Sequence, residues 1–255
     1  MSDNAPASAG KPQDSTPSGW TPEGRHFIVP DWPAPPSVRA LVTTRSFGNL
    51  AESVADDPEM LTVRREMLRT RLPADPLWMK QVHETRCVRA EESHANVEAD
   101  AAWASSPGHV CAVLTADCLP LLLCDDAGTR VAAVHAGWRG LAAGVIESAV
   151  NAMGIPGSRL LAWLGPAIGP TAYEVGSDVL AALTSPDPGA LVAFTPRPGG
   201  KWQCDLYALA RRRLAALGVQ GVYGGNFRTF SDHRRFYSYR RDGRTGRMAS
   251  LIWTV

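Results

Sequence analysis

Short apolar runs bounded by turn residues recur along the chain and predict β-strands. β-Branched and apolar residues dominate most of these runs, as strand interiors favour. The predicted strands cover residues 38–44, 77–82, 86–90, 109–114, 119–124, 130–134, 160–164, 236–240 and 248–253. Asp242-Gly243, between the last two runs, predicts a turn that joins them as closing strands.

Apolar residues at three- and four-residue spacing predict helices between these strands. The predicted helices cover residues 58–71, 141–153, 176–184 and 205–217. Gly154 followed by Pro156 is typical of a helix C-terminus, and Asp205 is typical of a helix N-cap. Strands that alternate with helices in this way predict an α+β domain with mostly antiparallel pairing.

Composition narrows the class of protein further. Residues 1–22 are rich in Ser, Pro, Gly and Asp and lack the apolar core of a signal peptide, which predicts a disordered tail before one domain at 23–255. The most apolar stretch, 110–124, is too short to span a membrane. The formal net charge is +1, so we expect neither nucleic acid nor membranes as partners. A cytoplasmic protein is therefore expected, with its oligomeric state left open.

Candidate chemistry lies in the hairpin predicted from strands 119–124 and 130–134. If its turn is centred near residue 127, Cys118 lies opposite Ala136 and His135 lies opposite Leu119. Opposed residues sit about 5 Å apart at Cβ, which suits a shared metal or a Cys–His hydrogen bond. The alternative is an inert thiol and a core histidine, because the odd count of five cysteines predicts free thiols.

His83 is a third candidate, since it stands where another predicted strand ends. One cysteine with two histidines matches a catalytic zinc site that keeps its fourth position open. A predicted helix begins beside glycines just after His135. The backbone N–H groups at its N-terminus and the positive charge of Arg139 favour an anion there. Asp117, next to Cys118, is the candidate acid/base, with a turn aspartate as the alternative. Gln81 is a candidate for a hydrogen bond to the polar edge of a substrate. The alternative is an ordinary side chain at the end of a strand.

Five ordered motifs carry a resemblance to the YfiH-like family, also called the laccase-domain or multicopper polyphenol oxidase family. The mammalian relative is FAMIN, and bacterial members are purine nucleoside phosphorylases. The motifs are 80–83 (KQVH), 115–120 (TADCLP), 135–140 (HAGWRG), 165–170 (GPAIGP) with 173–176 (YEVG), and 236–243 (FYSYRRDG) with 245–247 (TGR).

The resemblance implies a single-domain α/β sandwich with a mixed, largely antiparallel sheet. It implies that His83, Cys118 and His135 bind zinc, with copper as the alternative metal, and that Arg45 lies near the same pocket. It implies phosphorolysis of adenosine, inosine and methylthioadenosine, together with adenosine deamination. The partners would be a purine nucleoside and phosphate, and Arg45 and Arg139 are the arginines we expect to bind phosphate. The arginines of the last motif are expected to be structural.

This chain also departs from the family pattern. Thr171-Ala172 and Arg228 stand where the family has cysteines, which weakens any model with several coppers. Ser46-Phe47-Gly48 replaces a pair of glycines beside Arg45, so the pocket is expected to differ on that side.

Four other functions stay open from the sequence. They are a peptidoglycan-precursor editing hydrolase that uses the same site, a metal-free hydrolase with Cys118 as nucleophile and His135 as base, a copper-dependent polyphenol oxidase, and a metal-stabilised binding module without turnover.

Overall fold

The computed structural model describes residues 25–54 and 57–255, so the predicted tail at 1–22 lies outside the described residues. The helices are α1 (Pro58–Arg69), α2 (Trp138–Ala143), α3 (Val145–Met153), α4 (Ser177–Thr184), α5 (Leu206–Ala216) and α6 (Tyr239–Asp242). The strands are β1 (Phe27–Ile28), β2 (Val38–Thr43), β3 (Pro76–Leu77), β4 (Cys87–Arg89), β5 (Ala101–Ala104), β6 (Val110–Thr115), β7 (Leu119–Asp125), β8 (Val131–Ala136), β9 (Leu160–Leu164), β10 (Glu174–Val175), β11 (Phe194–Arg197), β12 (Lys201–Cys204), β13 (Gly221–Gly224) and β14 (Met248–Thr254).

Two large sheets form the centre of the molecule. One has five strands in the order β1-β2-β14-β6-β3, and the other has six in the order β13-β9-β7-β8-β5-β4. A small three-stranded sheet, β10-β12-β11, lies apart from them. Most neighbours are antiparallel, while β3/β6, β4/β5 and β9/β13 are parallel. This mixed, mostly antiparallel architecture confirms the predicted fold class.

The order of layers follows from which side chains share a core. Val113 and Ile252 of the five-stranded sheet pack with Leu122 and Ala133 of the six-stranded sheet, so the two sheets face each other. The opposite face of the six-stranded sheet is covered by α2, α3, α4 and α5, and the outer face of the other sheet by α1. Strand β7 is buried along its whole length, because alternate residues serve the two cores on either side of it.

The β7/β8 hairpin forms as predicted, but its register is one residue away from the predicted one. Leu119 pairs with Ala136 and Pro120 pairs with His135. The reason is the turn, in which Asp125 pairs with Arg130 and the Asp125 carboxylate accepts hydrogen bonds from the backbone N–H groups of Thr129 and Arg130. Its centre therefore lies between Ala127 and Gly128, and Cys118 is the residue just before the first paired position.

Three other predictions were wrong in detail. The helix predicted at 141–153 starts earlier and is broken at Gly144, whose φ of +97° ends α2 and begins α3. The strand predicted at 236–240 does not form; Ser238 instead caps the short helix α6 by accepting a hydrogen bond from Arg241 N–H. The strand predicted at 77–82 is reduced to β3 and a single bridge at Lys80.

Strands β5 and β10–β13 were not predicted, since they are short and their alanines, glycines and charged residues give little apolar alternation. No helix among residues 25–54 and 57–255 is long and apolar enough to cross a lipid bilayer.

The break at Gly144 can be tested by a substitution whose effect on stability has opposite signs in a broken and in a continuous helix. An alanine at Gly144 must adopt the left-handed backbone, so we expect Gly144→Ala to lower the free energy of unfolding by about 1–2 kcal/mol. In a continuous helix the same change would raise it by about 1 kcal/mol. Urea unfolding measures the difference. Gly154→Ala is the positive control, because Gly154 (φ +62°) ends the helix in both geometries.

Candidate metal centre

His83, Cys118 and His135 converge at one edge of the six-stranded sheet. His83 lies in the loop after β3, Cys118 in the turn between β6 and β7, and His135 near the end of β8. Their potential ligand atoms all lie within 4.8 Å of one another, and Cys118 Sγ is 3.9 Å from His83 Nε2. The two imidazole rings meet edge to face, with centroids 4.8 Å apart. The sequence therefore predicted this cluster correctly as a spatial group.

A buried carboxylate positions two of the three side chains. Asp100 is fully buried at the start of β5, and its Oδ1 lies 2.7 Å from His135 Nδ1. The same carboxylate accepts hydrogen bonds from the backbone N–H groups of Val82, His83 and Glu84. These bonds hold the loop in which His83 adopts a φ of +64°. The contact at His135 Nδ1 also leaves Nε2 as the nitrogen available to a metal.

A second carboxylate shapes the turn that carries Cys118. Asp117 has a φ of +91°, and its carboxylate accepts hydrogen bonds from Thr229 Oγ1, Ser238 Oγ and Arg240 N–H. These contacts tie the turn to Thr229 and to the start of α6. The side chain predicted as an acid/base is therefore held by three donors, and it also lines the cleft described below.

Gly137 permits the close approach of the ligands. A Cβ atom at this position would lie 3.0 Å from Cys118 Sγ and 3.2 Å from His83 Cδ2. Any larger residue would push both side chains away, so the glycine that follows the strand serves the site through its lack of a side chain.

The cluster favours a thiolate beside an imidazolium. Burial raises the pKa of the Cys118 thiol, but the charges and hydrogen bonds of His135 and His83 outweigh it and lower that pKa to about 6. Burial lowers the pKa of His135, but Cys118 and Asp100 outweigh it and raise that pKa to about 9. For Asp100, hydrogen bonds from His135 and the loop outweigh burial and lower the pKa.

The donor set fits a single tetrahedral metal ion. Zn–S near 2.3 Å and Zn–N near 2.0–2.1 Å place neighbouring ligand atoms roughly 3.4–3.6 Å apart. The observed distances, 3.9 Å between Cys118 Sγ and His83 Nε2 and up to 4.8 Å within the group, would have to shorten when an ion binds. Within the described part of the chain, no fourth His, Cys, Asp or Glu joins the group. A metal held here would keep one position open towards the cleft.

The positions of the missing family cysteines lie away from this group. Thr171 is exposed, and Arg228 stacks on Tyr207 while donating to the carbonyl oxygens of Gly225 and Phe227. Neither residue lines the cleft.

The cluster lies in a cleft of about 790 Å³. Five cationic and two acidic side chains line it besides the ligands, and aromatic side chains cover part of its walls. The cations are Arg65, Lys80, Arg139, Arg240 and Arg247; the acids are Glu52 and Asp117; the aromatic residues are Trp78, Trp138, Tyr173 and Tyr239. The cleft is therefore suited to a flat ligand that carries or accompanies an anion.

The predicted substrate-binding residues divide into two groups. Arg139 lines the cleft, is exposed, and stacks on Trp138. Gln81 also lines it, but its amide already exchanges two hydrogen bonds with the backbone of Leu114. Arg45 does not line the cleft: its guanidinium bonds Asp242 and lies over Tyr237. Asp242 belongs to the same short helix as Tyr239 and Arg240, which line the cleft, so the expected position of Arg45 near the pocket stays a prediction.

Sequence reasoning missed Asp100 and the cations Arg65 and Lys80. Asp100 stands before the alanine-rich strand β5, and no spacing links it to His135. Arg247 was noted only as part of a motif and was expected to be structural, yet it lines the cleft.

Asp100→Asn tests the link between the two histidines. An amide cannot accept from four N–H donors as a carboxylate does, so the loop of His83 and the ring of His135 should both loosen. We expect zinc affinity to fall about 10- to 100-fold, measured by competition with a chromogenic chelator. Asp126→Asn is the control, since Asp126 forms an exposed ion pair with Arg159. Equal affinities for all three proteins would contradict the assigned role of Asp100.

Thiol alkylation tests the electrostatics of the cluster. In metal-stripped protein, the rate of Cys118 alkylation should rise with pH to half its maximum near pH 6, because the thiolate is the reactive form. Cys87, Cys124 and Cys204 should react slowly, since burial raises the pKa of each to about 12. The readout is mass spectrometry of iodoacetamide-treated protein, with Cys118→Ala as control. A midpoint near pH 8.5, that of a free thiol, would argue against the ion pair.

Comparisons with known proteins identify relatives of this chain at high sequence identity. A family model described as multi-copper polyphenol oxidoreductase laccase matches residues 42–255. A purine nucleoside phosphorylase of Pseudomonas aeruginosa is 53% identical over 237 residues, covering 89% of this chain and 98% of the relative. The purine nucleoside phosphorylase YfiH of Escherichia coli K12 is 46% identical over 241 residues, covering 90% and 99%.

Solved structures agree with the sequence matches. A Neisseria meningitidis protein of family DUF152 superposes with a TM-score of 0.87 at 47% identity, covering 90% of this chain and 99% of that one. YlmD from Geobacillus stearothermophilus superposes with a TM-score of 0.85 at 26% identity, covering 92% and 98%. With both sequence and fold in agreement, the chain belongs to the YfiH-like, laccase-domain family.

Proposed function

We propose that the protein is a zinc-dependent purine nucleoside phosphorylase that acts on adenosine, inosine and methylthioadenosine and also deaminates adenosine. The observation that carries this proposal is the group of His83, Cys118 and His135 beside a cationic, aromatic-lined cleft. The names of the relatives, purine nucleoside phosphorylases, support the reaction class.

Zinc is the metal we propose for this donor set. A thiolate with two imidazoles is typical of zinc, and three protein ligands with one open position are typical of catalytic zinc. A zinc ion held by these side chains would act as a Lewis acid at the open position. The chain's own part is to present a thiolate, to hold each imidazole by its other nitrogen or its backbone, and to keep the site accessible through the cleft.

In phosphorolysis, a nucleoside reacts with phosphate to give a purine base and ribose 1-phosphate. A phosphate oxygen forms a bond to the anomeric carbon, while the glycosidic C–N bond breaks and its electron pair leaves with the base, which takes up a proton. Cationic side chains of the cleft would hold the phosphate, and Arg139 remains one proposed group. Arg139 lies over the ring of Trp138 and Arg240 over that of Tyr173, so a purine ring would stack on the other face of either ring or on Tyr239, which also lines the cleft.

Adenosine deamination consumes water and releases ammonia, with inosine as the other product. It uses the same nucleoside and needs no phosphate. The role of Asp117 in proton transfer stays a prediction. Its three hydrogen bonds from Thr229, Ser238 and Arg240 support a positioning role for this carboxylate.

A metal-free hydrolase with Cys118 as nucleophile is the second candidate. The lowered pKa of Cys118 and the raised pKa of His135, with Asp100 behind the imidazole, match the arrangement of a nucleophile, a base and an orienting carboxylate. The third ligand-type side chain, His83, favours the metal enzyme because a Cys–His–Asp hydrolase has no use for it.

The proposed function predicts that turnover depends on each ligand. Incubation of the protein with inosine and phosphate should release hypoxanthine, and His83→Ala or Cys118→Ala should reduce this rate at least about 1000-fold, because two ligands hold a metal poorly. Protein purified without added metal should contain about one zinc ion per chain. Liquid chromatography of the bases and elemental analysis measure the two quantities.

Chelation separates the candidate functions. A metal enzyme loses activity with a strong chelator and regains it with zinc, whereas a cysteine nucleophile keeps its activity and is inactivated by alkylation. Activity regained only with copper would favour an oxidase. Arg244→Gln, an exposed change outside the cleft, is the control for expression and folding. Full activity of His83→Ala would contradict the proposal.

A further inference from the structure

Among the described residues, Arg139, Arg240 and Arg247 are the cleft cations without a carboxylate partner, and Arg247 is the one of the three that is not exposed. Arg247 is half-buried and lines the cleft together with Cys118. Its Nη1 donates to the carbonyl oxygens of Thr245 and Gly246. Among the described residues, no ion pair includes Arg247, and its Nε and Nη2 groups have no hydrogen-bond acceptor. These donors are therefore free to bind a ligand.

The other cations of the cleft are already engaged or more exposed. Arg65 pairs with Glu52 and donates to the carbonyl oxygen of Leu50, and Lys80 pairs with Glu98. Arg240 donates to the carbonyl oxygen of Glu174, and Arg139 is exposed. Arg247 combines burial with unused donors, which is the arrangement that strengthens a charge-assisted hydrogen bond.

A hydrogen bond from the backbone of Arg247 holds this residue in place beside the cleft. Its N–H donates to Asn49 Oδ1, and the same oxygen accepts from Ala51 N–H, so a buried amide joins two loops at this point. Gly246 allows the approach, because a Cβ there would lie 3.0 Å from Asn49 Cβ and 2.7 Å from the Tyr237 ring.

The guanidinium also lies within electrostatic range of the metal cluster. Burial lowers the pKa of Arg247, while negative charge at Cys118 and Asp117 acts in the opposite direction. A guanidinium that loses water without gaining a carboxylate is stabilised by an anion from solution. Its planar N–H groups match the oxygen spacing of a phosphate.

We propose that Arg247 is the phosphate anchor of this cleft, so that phosphorolysis depends on it and deamination does not. This inference rests on the proposed function, and it names Arg247 as the residue that binds phosphate, one of the two co-substrates. Phosphorolysis needs the anion held against the anomeric carbon while the C–O bond forms and the C–N bond breaks. Deamination takes water instead and does not need Arg247.

The two reactions therefore provide the test within one active site. Zinc-loaded Arg247→Gln, Arg247→Lys and the control Arg244→Gln would be assayed for inosine phosphorolysis over a range of phosphate and for adenosine deamination without phosphate. For Arg247→Gln we expect the KM for phosphate to rise about 10- to 100-fold, the loss of one charged hydrogen-bonded contact. Arg247→Lys should fall between, because it keeps the charge but loses the bidentate geometry.

Zinc content should stay near one ion per chain in all three variants, and deamination by the Arg247 variants should change far less than the KM for phosphate, which separates a phosphate site from a general loss of structure. An unchanged KM for phosphate in Arg247→Gln, or an equal loss of both reactions, would overturn the proposal.

Phosphate binding also tests Arg247 without any turnover. Calorimetric titration of inorganic phosphate into zinc-loaded protein should give binding by the native chain and by Arg244→Gln, and at least about 10-fold weaker binding by Arg247→Gln. If nucleosides are not substrates, the proposed function fails while this titration still decides the role of Arg247. Equal binding by the native chain and Arg247→Gln would overturn it.

Discussion

The carboxylate of Asp100 is the constraint on which the geometry of the site depends. It contacts His135 on one strand and three consecutive backbone N–H groups in the loop of His83. A buried charge is stable only when donors surround it, and the donors to Asp100 are the ring of His135 and the backbone of the loop that carries His83. The cost of burying Asp100 is thus offset by the contacts that bring His83 and His135 together.

Cys118, the third member of the cluster, depends on a different set of contacts. Cys118 follows Asp117, whose left-handed backbone and three hydrogen bonds fix the turn between β6 and β7. The donors come from Thr229, Ser238 and Arg240, far along the chain. Ser238 and Arg240 belong to the run that was predicted to be a strand of a hairpin. Their hydrogen bonds to Asp117 instead hold the turn that carries Cys118. These donors satisfy a buried carboxylate, which a strand at this point would not do.

The apolar pattern predicted the elements with a continuous apolar run, β7 and β8, and those with helical spacing, including α5. It failed where a single residue changes the backbone, as at Gly144, and where strands consist of alanine and glycine, as in β5 and β13. The His83, Cys118 and His135 cluster was within reach because strand ends and a family motif pointed to it. Asp100 and the free guanidinium of Arg247 were not, because their roles come from three-dimensional contacts that leave no spacing in the sequence.

The charges of the site also bear on which nucleophile it can use. With a divalent ion, the thiolate, the two neutral imidazoles and the Asp100 carboxylate behind His135 would carry a net charge of about zero. The charges that a ligand meets beside this group are then those of Asp117 and Arg247, of which the first is held in place by three donors. In the proposed enzyme, the unused N–H donors of Arg247 would bind phosphate more strongly than water, because a charged acceptor forms the stronger hydrogen bond.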